Sequence, residues 1–253
     1  NSIFLDQGTD EATNRIVADY VRDRIRDRVQ DPALAEKLCP WDHPIGTRRL
    51  CVDTGYFETY NQDNVTLVDA REEPIESFSR SGIRTRTGHH EVDVVVFALG
   101  FHAFTGAIDA AGIRNGAGAA PTDSWSRGPR TMLGLMTGGF PNLFFPTGPG
   151  SPSVLANMIL GNEFHIDWIG DCIVTMKERG FGSIEPTPDG QEEWGRRVAA
   201  ASDRLLRRQV RNYMVHVNPD GSRIFMPYVG GLDTYVEHSR AVAEQGYPGF
   251  SMR

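Results

Sequence analysis

Val92-Asp93-Val94-Val95-Val96-Phe97-Ala98-Leu99-Gly100 is the stretch on which the fold turns. From Val92 to Leu99 it is a nearly continuous apolar run, and such a run fits a central strand buried on both faces of a sheet. It ends at Gly100, where the backbone can approach a ligand closely. Two more strand-like pieces lie upstream. Gly82 to Thr87 alternates as a half-buried strand does, and Val65 to Asp69 is apolar and β-branched, bounded by Asn64. Strands of this kind, set among helical segments, point to an α/β architecture.

Further upstream stands His43 to Asn64, HPIGTRRLCVDTGYFETYNQDN. Pro44 and Gly46 punctuate the backbone, so a tight loop leads into Thr47-Arg48-Arg49. Leu50, Cys51 and Val52 read as a short buried run. Adjacent arginines on an extended segment point to opposite faces, so one can take an anion while its neighbour reaches a different site. A solvated basic pair is the plain alternative. Before this loop, Asp10 to Gln30 has the pattern of an amphipathic helix. Thr9 or Asp10 can cap it, and Ile16, Val17, Tyr20, Val21, Ile25 and Val29 form its apolar stripe. Asp31-Pro32 stops that helix and starts a short one through Leu38.

Downstream of Gly100 the composition turns to Gly and Ala between Thr105 and Pro121, a loop or crossover and the best candidate for a domain boundary. Gly116-Ala117-Gly118-Ala119-Ala120-Pro121 only imitates a dinucleotide fingerprint, because no strand precedes it and Pro121 sits where the last glycine belongs. Asn142 to Thr147 reads as a buried strand, followed by Gly148-Pro149-Gly150-Ser151-Pro152-Ser153 and a long helix to about Arg179. Leu155, Ile159, Ile166, Ile169, Ile173 and Met176 would be its core stripe. Strand, glycine-rich turn and helix N-terminus together can present backbone N–H groups to a ligand, although a purely structural turn has the same composition. A further helix is expected from about Gly190 to Val210, with Trp194, Val198, Leu205 and Leu206 inward and a solvated basic face.

The 253 residues suit one large domain or two smaller ones, and 40% hydrophobic against 23% charged residues suits a packed core. A net charge of −7 gives no nucleic-acid footprint. Cys39, Cys51 and Cys172 lie far apart without metal spacing, so a reducing cytoplasm is the expected compartment. No apolar run has the length of a membrane span, and no signal peptide is visible. The chain begins at Asn1 and not at Met, which leads us to expect a piece of a longer polypeptide.

Several stretches in order resemble the type I Baeyer–Villiger monooxygenases, flavoproteins that insert oxygen beside a ketone carbonyl. They are HPIGTRR (43–49), DTGYFETYN (53–61), VVVFALGF (94–101), GPRT (128–131), GFPNLF (139–144), TGPGSPS (147–153) and FMPYVGG (225–231). The match is to the C-terminal half of that family. Its two GxGxxG fingerprints and its Phe-Gly-His-Trp-Pro motif have no counterpart here.

The resemblance implies an α/β fold, part of a two-dinucleotide-binding-domain flavoprotein with Rossmann-like FAD and NADP domains and a helical insertion. Residues 1–46 would be the end of the insertion, 47–102 the C-terminal part of the NADP domain, and 103–253 the C-terminal part of the FAD domain. The implied activity uses NADPH, FAD and O2 to turn a ketone into an ester or lactone through a flavin peroxide. The partner would be the N-terminal half of the same enzyme; no nucleic acid and no membrane span are expected. By motif match Arg49 is the catalytic cation for an oxygen anion, since only arginine stays charged while offering a fork of N–H donors. Arg48 falls where the family places a basic residue against the NADP 2′-phosphate.

The same resemblance assigns Gly100, Gly148, Pro149 and Ser151 to cofactor binding. It assigns Ser153, Val154, Leu155 and Met158 to the substrate pocket, with helix core as the alternative for Leu155 and Met158. Leu99 stands where the family has Thr, so only a backbone role is kept for Gly100. Tyr213 lies near the position of a family Trp that reaches the nicotinamide ribose. A related flavin monooxygenase that hydroxylates nitrogen or sulfur, and a non-catalytic binding module, are the competing readings. The chain alone is expected to be inactive and to hold FAD poorly.

Overall fold

In the computed structural model, which describes residues 4–253, Asp10 opens the first element. Its carboxylate accepts the Thr13 N–H at 2.7 Å, and α1 runs Glu11–Arg28. Asp31 likewise caps α2, Pro32–Leu38, whose proline occupies the first turn, where its missing N–H costs nothing. Ile25, Val29, Ala35 and Cys39 close a small core between the two helices, and Phe57 packs against it. The buried face of α1 is not the purely apolar stripe that spacing predicts. Ile16 and Tyr20 face outward, while Asn14 and Arg22 are buried. Arg22 can be buried because its donors are filled: Nε and Nη2 reach the Pro40 carbonyl at 3.1 and 3.0 Å, Nη1 reaches Asp19 at 2.6 Å, and Trp41 lies 4.0 Å from the guanidinium. Residues 1–3 of the expected 1–46 segment lie outside the described residues.

The described residues divide into two compact units, the first closing at Gly100 and the second opening at Phe101. Beyond α2 the first unit holds a short α3, Tyr56–Thr59, and an antiparallel meander of β1 (Ile75–Ser79), β2 (Gly82–Thr85) and β3 (His89–Glu91). Val65 to Asp69 forms no strand. The decisive run, Val92 to Leu99, joins no ladder either. Val92 donates to the Ser81 carbonyl at 3.1 Å, and the rest continues unpaired, with Val94, Val96 and Leu99 exposed by 75%, 81% and 88%. The expected two-sided burial therefore fails among the described residues. A strand is a strand only beside another that takes its N–H and C=O groups, and no described segment forms a ladder with this one, although Phe97 packs against Phe78 of β1.

The second unit contains α4 (Gly106–Ala110), a 3-10 turn at Pro121–Ser124 and another at Ser153–Leu155, then α5 (Met158–Arg179) and β4 (Ile184–Pro186). After these come α6 (Pro188–Ser202), α7 (Leu206–Gln209), β5 (Val215–Val217), β6 (Arg223–Phe225), α8 (Leu232–Glu244) and β7 (Phe250–Met252). β4 pairs with β7 and β5 with β6, both antiparallel, so no parallel sheet forms among the described residues. Leu133, Leu135, Met136, Trp168, Cys172, Ile184, Trp194 and Tyr235 are central to the main core.

Three expectations change in this unit. Asn142 to Thr147 is a chain of turns: Asn142 and Thr147 take left-handed backbone, and the segment is tied at single points, Asn142 N–H to Ile184 O at 2.9 Å and Phe145 N–H to Leu135 O at 2.7 Å. On α5 the inward stripe is Gly161, His165, Trp168, Cys172 and Met176; of the expected stripe Met176 is buried and Ile169 packs against the core, while Ile159, Ile166 and Ile173 face outward. Both stripes have helical spacing. The polar one goes inside because its N–H groups find partners there, as Trp168 does on the Ser239 carbonyl at 2.9 Å. The helix expected to reach Val210 ends at Ser202, whose hydroxyl turns back onto the Ala199 carbonyl at 2.9 Å.

Candidate functional site

In the first unit the arginine loop is built from below. Gly46 takes φ 81°, and Thr47, almost fully buried, closes the turn by donating Oγ1 to the Pro44 carbonyl at 2.7 Å. Asn14, buried on α1, accepts the Ile45 N–H and donates to the Ile45 carbonyl, each at 2.9 Å. On the other side Asn61 accepts the Gln30 N–H at 2.8 Å and donates to the Arg28 carbonyl at 2.7 Å, filling groups left over at the end of α1. Arg28 also pairs with Asp53 and lies 3.6 Å from Glu58. The DTGYFETYN segment is thus clamped to the helix that carries Asn14, and the arginines sit between two fixed points.

Arg48 and Arg49 are exposed. Arg48 Nη2 lies 3.4 Å from Asp42, whose carboxyl is held below its ordinary range chiefly by its hydrogen bond to His43, with Arg48 adding to it. An exposed pair of this kind is weak, so Arg48 is easily turned to a stronger anion. Leu50, Cys51 and Val52, expected to be buried, are exposed. Like Val94 to Leu99, they lack a neighbouring layer. Gly100 takes φ 83°, with open space where a side chain would stand.

In the second unit the glycine-rich turn is buried, and three of its N–H groups are bonded within the protein. The Gly148 N–H goes to Phe145 O, the Gly150 N–H to Met226 O at 2.8 Å and the Ser151 N–H to Gly148 O. The Pro149 carbonyl takes Thr131 Oγ1 at 2.7 Å and the Gly150 carbonyl takes Trp194 Nε1 at 3.1 Å. Ser151 spends its hydroxyl on Gly148 O at 2.7 Å. The expectation that this turn presents backbone N–H groups is corrected for these three residues: the protein's own carbonyls use them. The helix start is also displaced, since α5 begins at Met158 with Asn157 capping the N–H groups of Ile159 and Leu160. Gly148, Pro149 and Ser151 are buried, and each is hydrogen-bonded within the protein.

The expected pocket residues follow directly in the chain. Ser153 is buried with φ 44°, and Val154 packs against Met214, Val215 and Phe225. Leu155 and Met158 are exposed by 36% and 39%, so helix core does not explain them. Tyr213 is also exposed.

Reasoning from sequence missed Asn14, Asn61, His165 and Tyr235, all of which hold backbone at these two places. The available signal was a polar residue in helical register with buried neighbours, as in Asn14-Val17-Ile25 and His165-Trp168-Cys172. Among the described residues no cluster of His, Cys, Asp or Glu could hold a metal, and no helix is long and apolar enough to cross a membrane.

No family model matches the chain. The 2-oxo-Δ3-4,5,5-trimethylcyclopentenylacetyl-CoA monooxygenase of Pseudomonas putida is 38% identical over 98% of this chain and 46% of its own length. The cyclopentanone 1,2-monooxygenase of a Comamonas species is 37% identical over 98% and 46%. A Baeyer–Villiger monooxygenase of Pseudooceanicola batsensis is 35% identical over 96% and 44%. Among solved structures, oxidised steroid monooxygenase bound to NADP matches with TM-score 0.89 and 43% identity over 98% of this chain and 47% of that one. OTEMO in complex with FAD and NADP matches with TM-score 0.93 and 37% identity over 99% and 46%. The chain spans about half the length of the curated relatives it matches. The architecture is therefore a mixed α/β part of a two-dinucleotide-binding flavoprotein monooxygenase. In sequence and in fold, along almost its whole length, the chain belongs to the flavin-dependent Baeyer–Villiger monooxygenases.

Proposed function

We propose that the protein to which this chain belongs is an NADPH- and FAD-dependent monooxygenase that inserts one atom of O2 next to a ketone carbonyl and yields an ester or lactone. The observation that carries this reading is the exposed Arg48-Arg49 pair on a loop anchored from both sides, by Asn14 and by Asn61. Residues 1–46 act as the end of a helical insertion, 47–102 as part of the NADP domain and 103–253 as part of the FAD domain. The uncovered run Val92 to Leu99 pairs with strands of the N-terminal half, which is the partner of this chain. The enzyme works in the cytoplasm, without nucleic acid and without a membrane span.

The residues present suit the two cofactors to different degrees. Arg48, exposed and only weakly paired, suits a phosphate, which a guanidinium takes with two parallel hydrogen bonds. Leu155 and Met158, exposed beside the glycine-rich turn, suit an apolar substrate next to the flavin. The N–H groups of Gly148, Gly150 and Ser151 are used within the protein and are not open to the pyrophosphate of FAD. When bound, NADPH supplies hydride and the flavin supplies activated oxygen.

The chain's own residues then do four things. Arg49 remains a cation at every step and donates N–H bonds to negative charge developing on oxygen. Arg48 holds the 2′-phosphate. Gly100, through its backbone, contributes to cofactor binding, and Tyr213 is the residue assigned to the nicotinamide ribose. Ser153, Val154, Leu155 and Met158 enclose the ketone and keep water out, with Gly148, Pro149 and Ser151 just before them in the chain.

The test is Arg49→Ala in the full-length, FAD-loaded enzyme. NADPH-driven flavin bleaching is expected to persist while ester formation drops by about 10²–10³-fold. Undiminished ester formation would remove Arg49 from the site. Product analysis with a ketone beside an amine and a thioether separates this activity from nitrogen or sulfur hydroxylation.

A further inference from the structure

Leu133 and Thr147 take left-handed backbone, φ 57° and 54°. Asparagine adopts this conformation at low cost, whereas a β-branched threonine and a buried leucine do not. The two residues are joined by a chain of side chains. The Thr147 N–H donates to His165 Nδ1 at 2.9 Å, which leaves the ring proton on Nε2. Nε2 lies 2.8 Å from the Tyr235 hydroxyl, and that hydroxyl donates to the Leu133 carbonyl at 2.7 Å. Every donor in the chain meets one acceptor, in one direction only. Both side chains are buried, and burial pulls the His165 imidazole down to about 4, so it stays the neutral acceptor that Thr147 needs.

The need for such a device is visible next to it. A Cβ on Gly134 would collide with the Ser151 amide, and one on Gly148 with the Gly134 carbonyl. The two turns therefore meet backbone to backbone, with no room for side chains to lock them. Strained backbone persists only where its surroundings over-determine it, and it gathers at functional places. Ser153, also left-handed, leads from this turn into Leu155 and Met158.

We propose that His165 and Tyr235 are positioning residues. They form a latch that holds Thr147 and Leu133 in left-handed backbone and so fixes where the Ser153–Met158 ledge stands against the ketone. This rests on the reading of that ledge as the substrate pocket.

The experiment uses the full-length, FAD-loaded enzyme and reads ester formed per NADPH oxidised, a ratio that does not depend on how much enzyme is folded. Tyr235→Phe keeps the ring and removes both hydrogen bonds of the hydroxyl. It is expected to lower the ratio by about tenfold, the scale of a small misplacement of a reactant. Adding Thr147→Gly, which needs no latch to reach positive φ, is expected to restore most of it. Should Tyr235→Phe not accumulate, His165→Gln carries the same test, since it reaches Tyr235 but leaves the Thr147 N–H without its acceptor. An unchanged ratio, or no recovery with Thr147→Gly, overturns the latch. A wild-type enzyme that makes no ester overturns the ledge reading first, and the proposal with it.

Discussion

The side-chain amide of Asn14 holds both backbone groups of Ile45, accepting its N–H and donating to its carbonyl at 2.9 Å each, with a further bond to the Gln7 carbonyl at 2.8 Å. A residue on α1 thereby sets the register of a loop that reaches Arg49 four positions later. Asn14→Ala would leave the Gln7 carbonyl, buried, and the half-buried Ile45 groups without these partners, at a cost of about 1–3 kcal/mol. The check is chemical denaturation together with hydrogen exchange at the Ile45 amide. Wild-type exchange at that amide would show that Asn14 does not hold the loop.

Arg48 is expected to act on the cofactor and not on the chemistry. Losing one charge-assisted contact to a phosphate weakens binding by roughly tenfold or more. Arg48→Ala should therefore raise the Michaelis constant for NADPH by about that factor, while leaving the constant for NADH and the turnover at saturation near their wild-type values. Steady-state kinetics with both nucleotides decides it, and an unaltered preference between them removes Arg48 from the phosphate site.

His165 makes stability depend on pH in a fixed direction. Its imidazole is pulled from an ordinary 6.5 down to about 4 by burial. Between these values the unfolded chain binds the extra proton, so this contribution is complete above pH 6.5 and is lost as pH falls toward 4. The full effect is about 3 kcal/mol. Urea denaturation across that window, compared between wild type and His165→Asn, isolates it from the carboxylates. Parallel pH profiles for the two proteins would count against a buried neutral histidine.

The 253-residue chain by itself is expected not to retain FAD. The N–H groups of Gly148, Gly150 and Ser151 are already bound to Phe145, Met226 and Gly148 carbonyls, and no glycine fingerprint in the chain replaces them. Gel filtration of the chain after mixing with FAD should give little flavin absorbance with the protein peak. Stoichiometric absorbance there would contradict this use of the three N–H groups.

Much of the local structure was legible in the residues. Asp10 and Asp31 cap the helices that their spacing predicts, and Pro32 starts α2. Gly46 makes the turn before Thr47, and β2 lies within the alternating stretch from Gly82. Capping, turn chemistry and alternation act over a few residues, so short segments record them. The membership of the chain in its family was legible too, because ordered motifs from HPIGTRR to FMPYVGG survive as strings.

The choice between two helical faces of α5 was not legible. The isoleucines at 159, 166 and 173 and the set His165, Trp168 and Cys172 have equally good spacing, and hydropathy favours the isoleucines. The second set is inside because the Thr147 N–H, the Tyr235 hydroxyl and the Ser239 carbonyl, far apart in the chain, converge on it. The run Val92 to Leu99 shows the same limit from the other side, since its residues favour extension but cannot supply the neighbouring strand. Residue type and spacing determined where helices begin, where the chain turns and which family it joins. Tertiary structure alone decided which face is buried, which N–H groups of the turn are used and which asparagine holds the arginine loop, because each depends on hydrogen-bond partners brought together from distant positions.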